Sequence, residues 1–183
     1  MIDHVRKLIF VHIARTGGSS IETALVGKDW WSIDPSTKHI SATAAREIYG
    51  EEIWSTYHKF TVVRNPWDRI VSMWATKWWH RSSELDDCCS FDEFIKNIKP
   101  HPHERYNTLF YHQILNEEMD SILRFETLRE DFARMLNSVG ADDVPLPHVE
   151  KREHAHYTTM YNAAERRSVF ERFHADIVQF NYC

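Results

Sequence analysis

Short apolar runs alternate with amphipathic segments along the chain. The runs at residues 7–13, 60–63 and 121–125 carry β-branched and aromatic side chains, which is typical of strands buried on both faces. Elsewhere apolar residues recur at helical spacing, and these segments predict helices at residues 21–26, 41–49, 66–79, 91–98, 127–139 and 163–180. Because strands that alternate with helices favour parallel pairing with crossovers, the pattern predicts an α/β fold with a central parallel sheet flanked by helices.

A polar segment follows each of the first two predicted strands. The first is a Gly/Ser turn that leads into a helix and holds Arg15, Thr16, Gly17, Gly18, Ser19 and Ser20. Such a turn exposes backbone N–H groups at the positive end of a helix, where phosphate and sulfate bind well. The alternative is a tight turn with no ligand. The Walker pattern GxxxxGK[ST] is absent, which disfavours an ordinary ATP-hydrolysing enzyme.

The second polar segment begins with Arg64 at the end of the strand at residues 60–63. A guanidinium can grip a phosphate through two parallel hydrogen bonds, and Ser72, two helical turns later, adds a hydroxyl. Ligands of parallel sheets bind beyond the carboxyl ends of the strands. We therefore expect both segments to lie on one sheet edge and to hold anionic groups there.

Composition narrows the class of protein. A chain of 183 residues with 43% apolar and 27% charged residues suits one globular domain, residues 1–183. The net charge of −5 disfavours a non-specific nucleic-acid binder. Cys88, Cys89 and Cys183 give no disulfide framework, and no signal-peptide or membrane-spanning run is visible, so we expect a cytoplasmic protein without membrane attachment.

The two segments in this order resemble the PAPS-dependent sulfotransferases (PAPS is 3′-phosphoadenosine 5′-phosphosulfate), specifically the carbohydrate sulfotransferases and their small bacterial relatives. In that family a Pro-Lys-Thr-Gly-Gly-Thr-Ser-like loop binds the 5′-phosphosulfate, and an Arg-Asn-Pro-aromatic-Asp-Arg segment with a later Ser binds the 3′-phosphate. The corresponding residues here are 15–20 and 64–72. Weaker similarity covers residues 123–128, 146–151 with Tyr157, and 176–182.

The resemblance implies a P-loop-like three-layer fold and sulfuryl transfer from PAPS to a hydroxyl acceptor, a carbohydrate, without a metal. It also implies that Lys151 and Tyr157 close over the nucleotide. The chain departs from the family where Arg15 replaces a Lys that neutralises the leaving phosphate, and where Ala14 replaces a Pro. Glu150 and Arg152 also stand where Asn and Ser are usual. Arg15 keeps the positive charge, so we expect it to bind the donor and to take the catalytic role of the Lys.

The acceptor hydroxyl needs a base, and His39 is the candidate because relatives carry a His in a similar Lys-His-x-Ser/Thr segment. Glu22 is the alternative base, and His12 is expected to pack at the edge of the core. Arg46 faces either the acceptor or solvent, and Arg69 is expected to be structural, paired with Asp68 or another acid. The pairs His101/His103 and His154/His156 lack common zinc spacing and are interpreted as loop histidines.

Two other functions remain open. A catalytically silent nucleotide-binding module would keep the phosphate-binding sites without transferring sulfate. A P-loop phosphotransferase that uses ATP is disfavoured by the missing Walker lysine, and it leaves Arg64 and Ser72 unexplained.

Overall fold

The computed structural model describes residues 1–76, 90–101, 103–147, 149 and 155–183. The predicted end of the helix at 66–79 beyond residue 76 lies outside these ranges, and so does Lys151.

A four-stranded sheet forms the centre of the molecule, in the order β1 (Ile2–Asp3), β2 (Leu8–Val11), β3 (His58–Val63) and β4 (Ser121–Arg124). The last three strands are parallel to one another, and β1 pairs antiparallel with β2 at the edge. The three predicted strands are confirmed with small changes at their ends. The two-residue β1 is too short to leave a periodic signal in the sequence.

Helices connect the strands. Their bounds are α1 Gly18–Val26, α2 Ala42–Tyr49, α3 Glu51–Thr56, α4 Pro66–Ala75, α5 Phe91–Asn97, α6 Tyr111–Ile114, α7 Leu128–Ser138, α8 Ala163–Arg172 and α9 His174–Gln179. Short 3-10 turns occur at Trp30–Ser32, Phe125–Thr127 and Tyr157–Thr159. Ser41 caps α2 by accepting from the Ala44 N–H, and Pro66 opens α4, both as the sequence predicts.

Alternate strand residues face opposite layers of helices. Phe10 and Phe60 pack with α1 and α7 on one face, whereas Val11 and Val63 pack with α2, α3 and α6 on the other. Both faces of the sheet are therefore covered by helices. The predicted three-layer α/β architecture is confirmed.

The C-terminal helix differs from its prediction at residues 163–180. It is divided into α8 and α9 at Phe173, where the backbone leaves helical geometry with φ −107° and ψ 20°. After this bend the buried Asp176 carboxylate accepts hydrogen bonds from the backbone N–H groups of Tyr111 and His112 at the start of α6. The prediction of one continuous helix is wrong because apolar residues keep the same spacing on both sides of the bend.

Candidate functional site

The two polar segments meet at one edge of the sheet, beyond the ends of β2 and β3. The Arg15 guanidinium donates from Nε and Nη2 to the Ser72 Oγ, at 3.1 and 2.9 Å. Arg64 donates from Nη1 to the Arg15 carbonyl oxygen at 3.2 Å. Residues that are 49 to 57 positions apart in the chain are thus in direct contact, with Arg64 bound to the Arg15 backbone and the Arg15 guanidinium bound to Ser72.

The glycines of the first segment have little room around them. Gly17 has φ +86°, and a Cβ there would lie 2.9 Å from the Leu128 side chain. A Cβ on Gly18 would lie 2.1 Å from the His12 ring. Helix α1 begins at Gly18, earlier than the predicted residue 21, so the loop amides are those of its first turn; of these, the Ser20 N–H donates to the Gly17 carbonyl at 3.1 Å. A backbone without side chains at Gly17 and Gly18, at the start of a helix and next to Arg15, fits a phosphosulfate.

The hydroxyls of this loop differ in their surroundings. Thr16 is fully buried and donates to the Ile13 carbonyl at 2.8 Å, so its side chain fixes the loop. The Ser20 hydroxyl accepts from the Val149 N–H at 3.2 Å. Ser19 is half-buried. The Thr16 hydroxyl proton is therefore engaged by the Ile13 carbonyl, and only the Thr16 backbone is left to contribute to the loop.

Arg64 is held in place by an acid and an aromatic ring. Its Nε donates to Asp68 Oδ2 at 2.8 Å, and its guanidinium carbon lies 4.0 Å from the centre of the Phe125 ring. Asp68 therefore pairs with Arg64, and the expected pairing of Arg69 with Asp68 is wrong. Arg69 is structural in another way, since it donates to the carbonyls of Ala14 at 3.1 Å and Leu109 at 2.6 Å.

Tyr157 lies beside the second segment. Its hydroxyl accepts from Asn65 Nδ2 at 3.4 Å, while the Asn65 carbonyl oxygen of the side chain caps α4. Tyr157 therefore contacts Asn65, the residue that follows Arg64 in the predicted 3′-phosphate segment. Lys151, its predicted companion, is among the residues that are not described.

His39 occupies a strained and buried position near the first segment. Its φ is +57°, and its side chain is 9% exposed. Nδ1 lies 3.1 Å from the His12 carbonyl oxygen. Since a carbonyl only accepts, Nδ1 carries the proton, and Nε2 of the neutral ring has a free lone pair. Burial, followed by repulsion from His12, lowers the pKa of His39 well below its ordinary value of 6.5.

A buried charge network lies behind His39. Glu22 is fully buried; its Oε1 lies 2.6 Å from His12 Nδ1, and its Oε2 accepts from Lys38 Nζ at 2.8 Å and from the Trp30 N–H at 3.0 Å. Lys38 also donates to Asp29 at 2.7 Å. Burial alone raises the pKa of Glu22, but the attraction of His12 and Lys38 outweighs it and lowers that pKa to about 2.

These contacts separate the candidate bases. Glu22 is ionised, enclosed and already engaged with three donors, so the geometry disfavours it as the base for an acceptor hydroxyl. His12 packs at the edge of the core, as expected, with its ring stacked 5.3 Å from that of Phe10. Arg46 is 40% exposed and pairs with Glu51 and Glu117, which is the solvent-facing alternative for that residue.

A third element of the site is the loop at residues 103–109, for which the sequence predicts no specific contact. Tyr106 accepts from the Ala14 N–H at 3.1 Å, its ring centre lies 6.2 Å from that of His39, and the Arg105 N–H donates to the His39 carbonyl at 2.9 Å. Burial raises the pKa of Glu104 to about 7, against the opposing attraction of Arg69. This loop therefore contacts the first segment and His39 together.

Within the described ranges, no three His, Cys, Asp or Glu side chains are grouped so as to hold a metal ion. Across the same part of the chain, every helix is too short or too polar to cross a membrane.

Comparison with known proteins agrees with the geometry. The family model described as the sulfotransferase family matches residues 1–183. A search of curated proteins finds no match to the chain.

Proposed function

The chain belongs to the sulfotransferase family, whose members transfer sulfuryl groups, and from that premise we propose that it transfers the sulfuryl group of PAPS to a carbohydrate hydroxyl. The observation that carries the proposal is the convergence of Arg15, Arg64 and Ser72 at one sheet edge, joined by hydrogen bonds of 2.9 to 3.2 Å.

In this proposal the donor lies along the edge formed by the two segments. The amides of residues 17–19, the Ser20 hydroxyl and the Arg15 guanidinium bind the 5′-phosphosulfate, where positive charge offsets the negative charge that develops on the leaving phosphate. Arg64 and Ser72 bind the 3′-phosphate, and Tyr157 lies near enough to Asn65 to contact the nucleotide beside it.

His39 acts as the base in this reaction. As the acceptor oxygen forms a bond to sulfur, the bond between sulfur and the phosphate oxygen breaks, and the acceptor proton passes to His39 Nε2. The products are the sulfated acceptor and 3′,5′-diphosphoadenosine (PAP). The hydrogen bond from Nδ1 to the His12 carbonyl fixes the tautomer, and the lowered pKa keeps the ring neutral before transfer.

A silent nucleotide-binding module is the second candidate, and the replacement of the family Lys by Arg15 favours it. Arg is planar and bulkier than Lys, so it can hold an anion without matching the position of a leaving oxygen. This candidate predicts PAP binding without sulfate transfer to any acceptor.

Calorimetric titration with PAP, beside ATP and AMP, tests the nucleotide seat. We expect PAP to bind much more tightly than either. Arg64→Ala should weaken PAP binding by about 1.5–3 kcal/mol, the scale of a charge-assisted hydrogen bond. Arg46→Ala, on a solvent-facing arginine of α2, is the control and should leave PAP affinity unchanged. Equal affinities for PAP and AMP would refute a 3′-phosphate seat.

Turnover with PAPS and a carbohydrate panel tests the base. His39→Ala should leave PAP affinity nearly intact and lower turnover by about two orders of magnitude or more. His174→Ala, on an exposed histidine of α9, is the matched control. Full turnover in His39→Ala would refute the base assignment, and no transfer by the wild type despite PAP binding would favour the silent module.

A further inference from the structure

Trp31 has an anchored backbone and an exposed indole ring. It belongs to the 3-10 turn Trp30–Ser32, and its backbone N–H donates to Asp29 Oδ1 at 2.9 Å. Asp29 is held in turn by the buried Lys38 ammonium at 2.7 Å. The preceding Trp30 is buried and donates from Nε1 to Thr37 at 2.8 Å. The turn is therefore anchored on the core side, yet the Trp31 side chain is 41% exposed.

The neighbours of the Trp31 ring leave part of it exposed. The His39 and His103 rings meet it in edge contacts, with centre distances of 5.7 and 6.1 Å. The Lys38 ammonium lies over the ring, 5.5 Å from its centre. Even with these three neighbours the Trp31 side chain remains 41% exposed, and its ring lies beside that of His39, the proposed base.

We propose that Trp31 is the acceptor-binding platform of this site: the acceptor's sugar ring stacks on its exposed indole, and one hydroxyl thereby reaches His39 Nε2. This inference rests on the proposed function. The apolar C–H face of a pyranose is drawn to the negative face of an aromatic ring, and an indole offers the largest such face among side chains. The anchored turn sets the position of the ring in advance, so little conformational entropy is lost on binding.

A shielding role for Trp31 makes different predictions. If the indole only kept water from His39, its removal would change the pH profile of kcat and leave the KM for the acceptor unchanged. A platform instead raises the KM for the acceptor and weakens acceptor binding to the PAP complex, with the acidic limb of the pH profile unmoved.

The experiment compares Trp31→Ala, Trp31→Phe and Phe170→Ala. Phe170 is a matched control because it is 42% exposed and lies on α8, in edge contact with His174. The wild-type complex with PAP is first applied to a glycan array, and the strongest glycan is then titrated into the PAP complex of each variant by calorimetry. The KM values for PAPS and for that glycan are measured in parallel.

We expect Trp31→Ala to weaken glycan binding and raise the glycan KM by about tenfold, with PAP affinity unchanged. Trp31→Phe should retain part of the affinity, and Phe170→Ala should behave as the wild type. If PAP binds but Trp31→Ala matches Phe170→Ala, the platform is overturned while the proposed function stands. If the PAP complex binds no glycan, a sugar platform is overturned. Failure of the wild type to bind PAP overturns the proposed function and this inference together.

Discussion

Replacement of Gly18 by alanine tests how closely the phosphate loop is packed. Gly18 is the first residue of α1, where an alanine normally stabilises a helix by about 1 kcal/mol relative to glycine. Here the new Cβ would lie 2.1 Å from Cδ2 and Nε2 of His12 and 2.6 Å from its Cε1. All three distances are far below van der Waals contact, so either the loop or the ring must move.

The His12 ring is poorly able to move. Its Nδ1 is 2.6 Å from Glu22, and its ring lies against those of Phe10 and His39, at 5.3 and 4.4 Å between centres. Overpacking of this kind costs about 1–3 kcal/mol, and loss of a hydrogen bond to a charged group adds about 1.5–3 kcal/mol if the ring is displaced. We therefore expect Gly18→Ala to lower the free energy of unfolding by about 1–3 kcal/mol if the loop shifts and by about 2.5–6 kcal/mol if the ring is displaced, with weaker PAP binding.

Urea unfolding followed by circular dichroism measures this effect. Gly27→Ala is the matched control, since Gly27 ends the same helix with φ +76° and has no atom within 4 Å of its Cβ position. Gly27→Ala should lower the free energy of unfolding only by the cost of holding alanine in the left-handed conformation, about 1–2 kcal/mol. In a double-mutant cycle, Gly18→Ala should cost less when His12 is already alanine. A Gly18→Ala protein as stable as the wild type would refute the packing argument.

Three further predictions concern the groups around this loop. The pKa of Glu22 in the folded protein is about 2, below its ordinary 4.5. Its ionised form therefore stabilises the fold above pH 4.5, and this stabilisation is lost as the pH falls towards 2. The difference in urea midpoint between the wild type and Glu22→Gln should shrink over that range, and a constant difference would contradict the prediction. Because the pKa of His39 is lowered in the free protein, the acidic limb of kcat/KM should lie below pH 6.5, and a limb at or above 6.5 would exclude His39 as the base. Tyr106→Phe removes the acceptor of the Ala14 N–H, so it should lower the free energy of unfolding by about 1–3 kcal/mol and raise the KM for PAPS. Tyr57→Phe is the control, because the Tyr57 hydroxyl contacts the exposed ring of His4, and it should show neither effect.

The parts of the fold that depend on local pattern could be predicted from the sequence. The apolar run at residues 60–63 marks β3, and Pro66 marks the start of α4, because burial on both faces and a proline at a first helical turn leave direct traces in the residue order. The sequence predicts Arg64 at an anion site because it follows a strand end, and Ser72 because it lies two helical turns later.

Contacts between distant segments could not be predicted. Lys38 looks like an exposed residue in the sequence, and only its acidic partners Glu22 and Asp29, 16 and 9 residues away, make its burial possible. Tyr106 reaches Ala14 across 92 residues, and no spacing rule connects the two. The bond between Arg15 and Ser72 likewise depends on how the two loops turn after their strands.

The parallel pairing of the central strands also decides when the proposed donor site can form. Leu8 pairs with His58, and Phe60 pairs with Ser121, so each pairing closes a chain loop of some fifty to sixty residues. Contacts of such long range form slowly and late, because loop closure costs entropy before any contact offsets it. The shortest fragment that contains both segments runs from Arg15 to Ser72, so a nascent chain that ends before Ser72 lacks part of the proposed donor site. Formation of the proposed donor site therefore depends on the pairing of β2 with β3, and a ligand that binds this edge stabilises that pairing as well as the two loops.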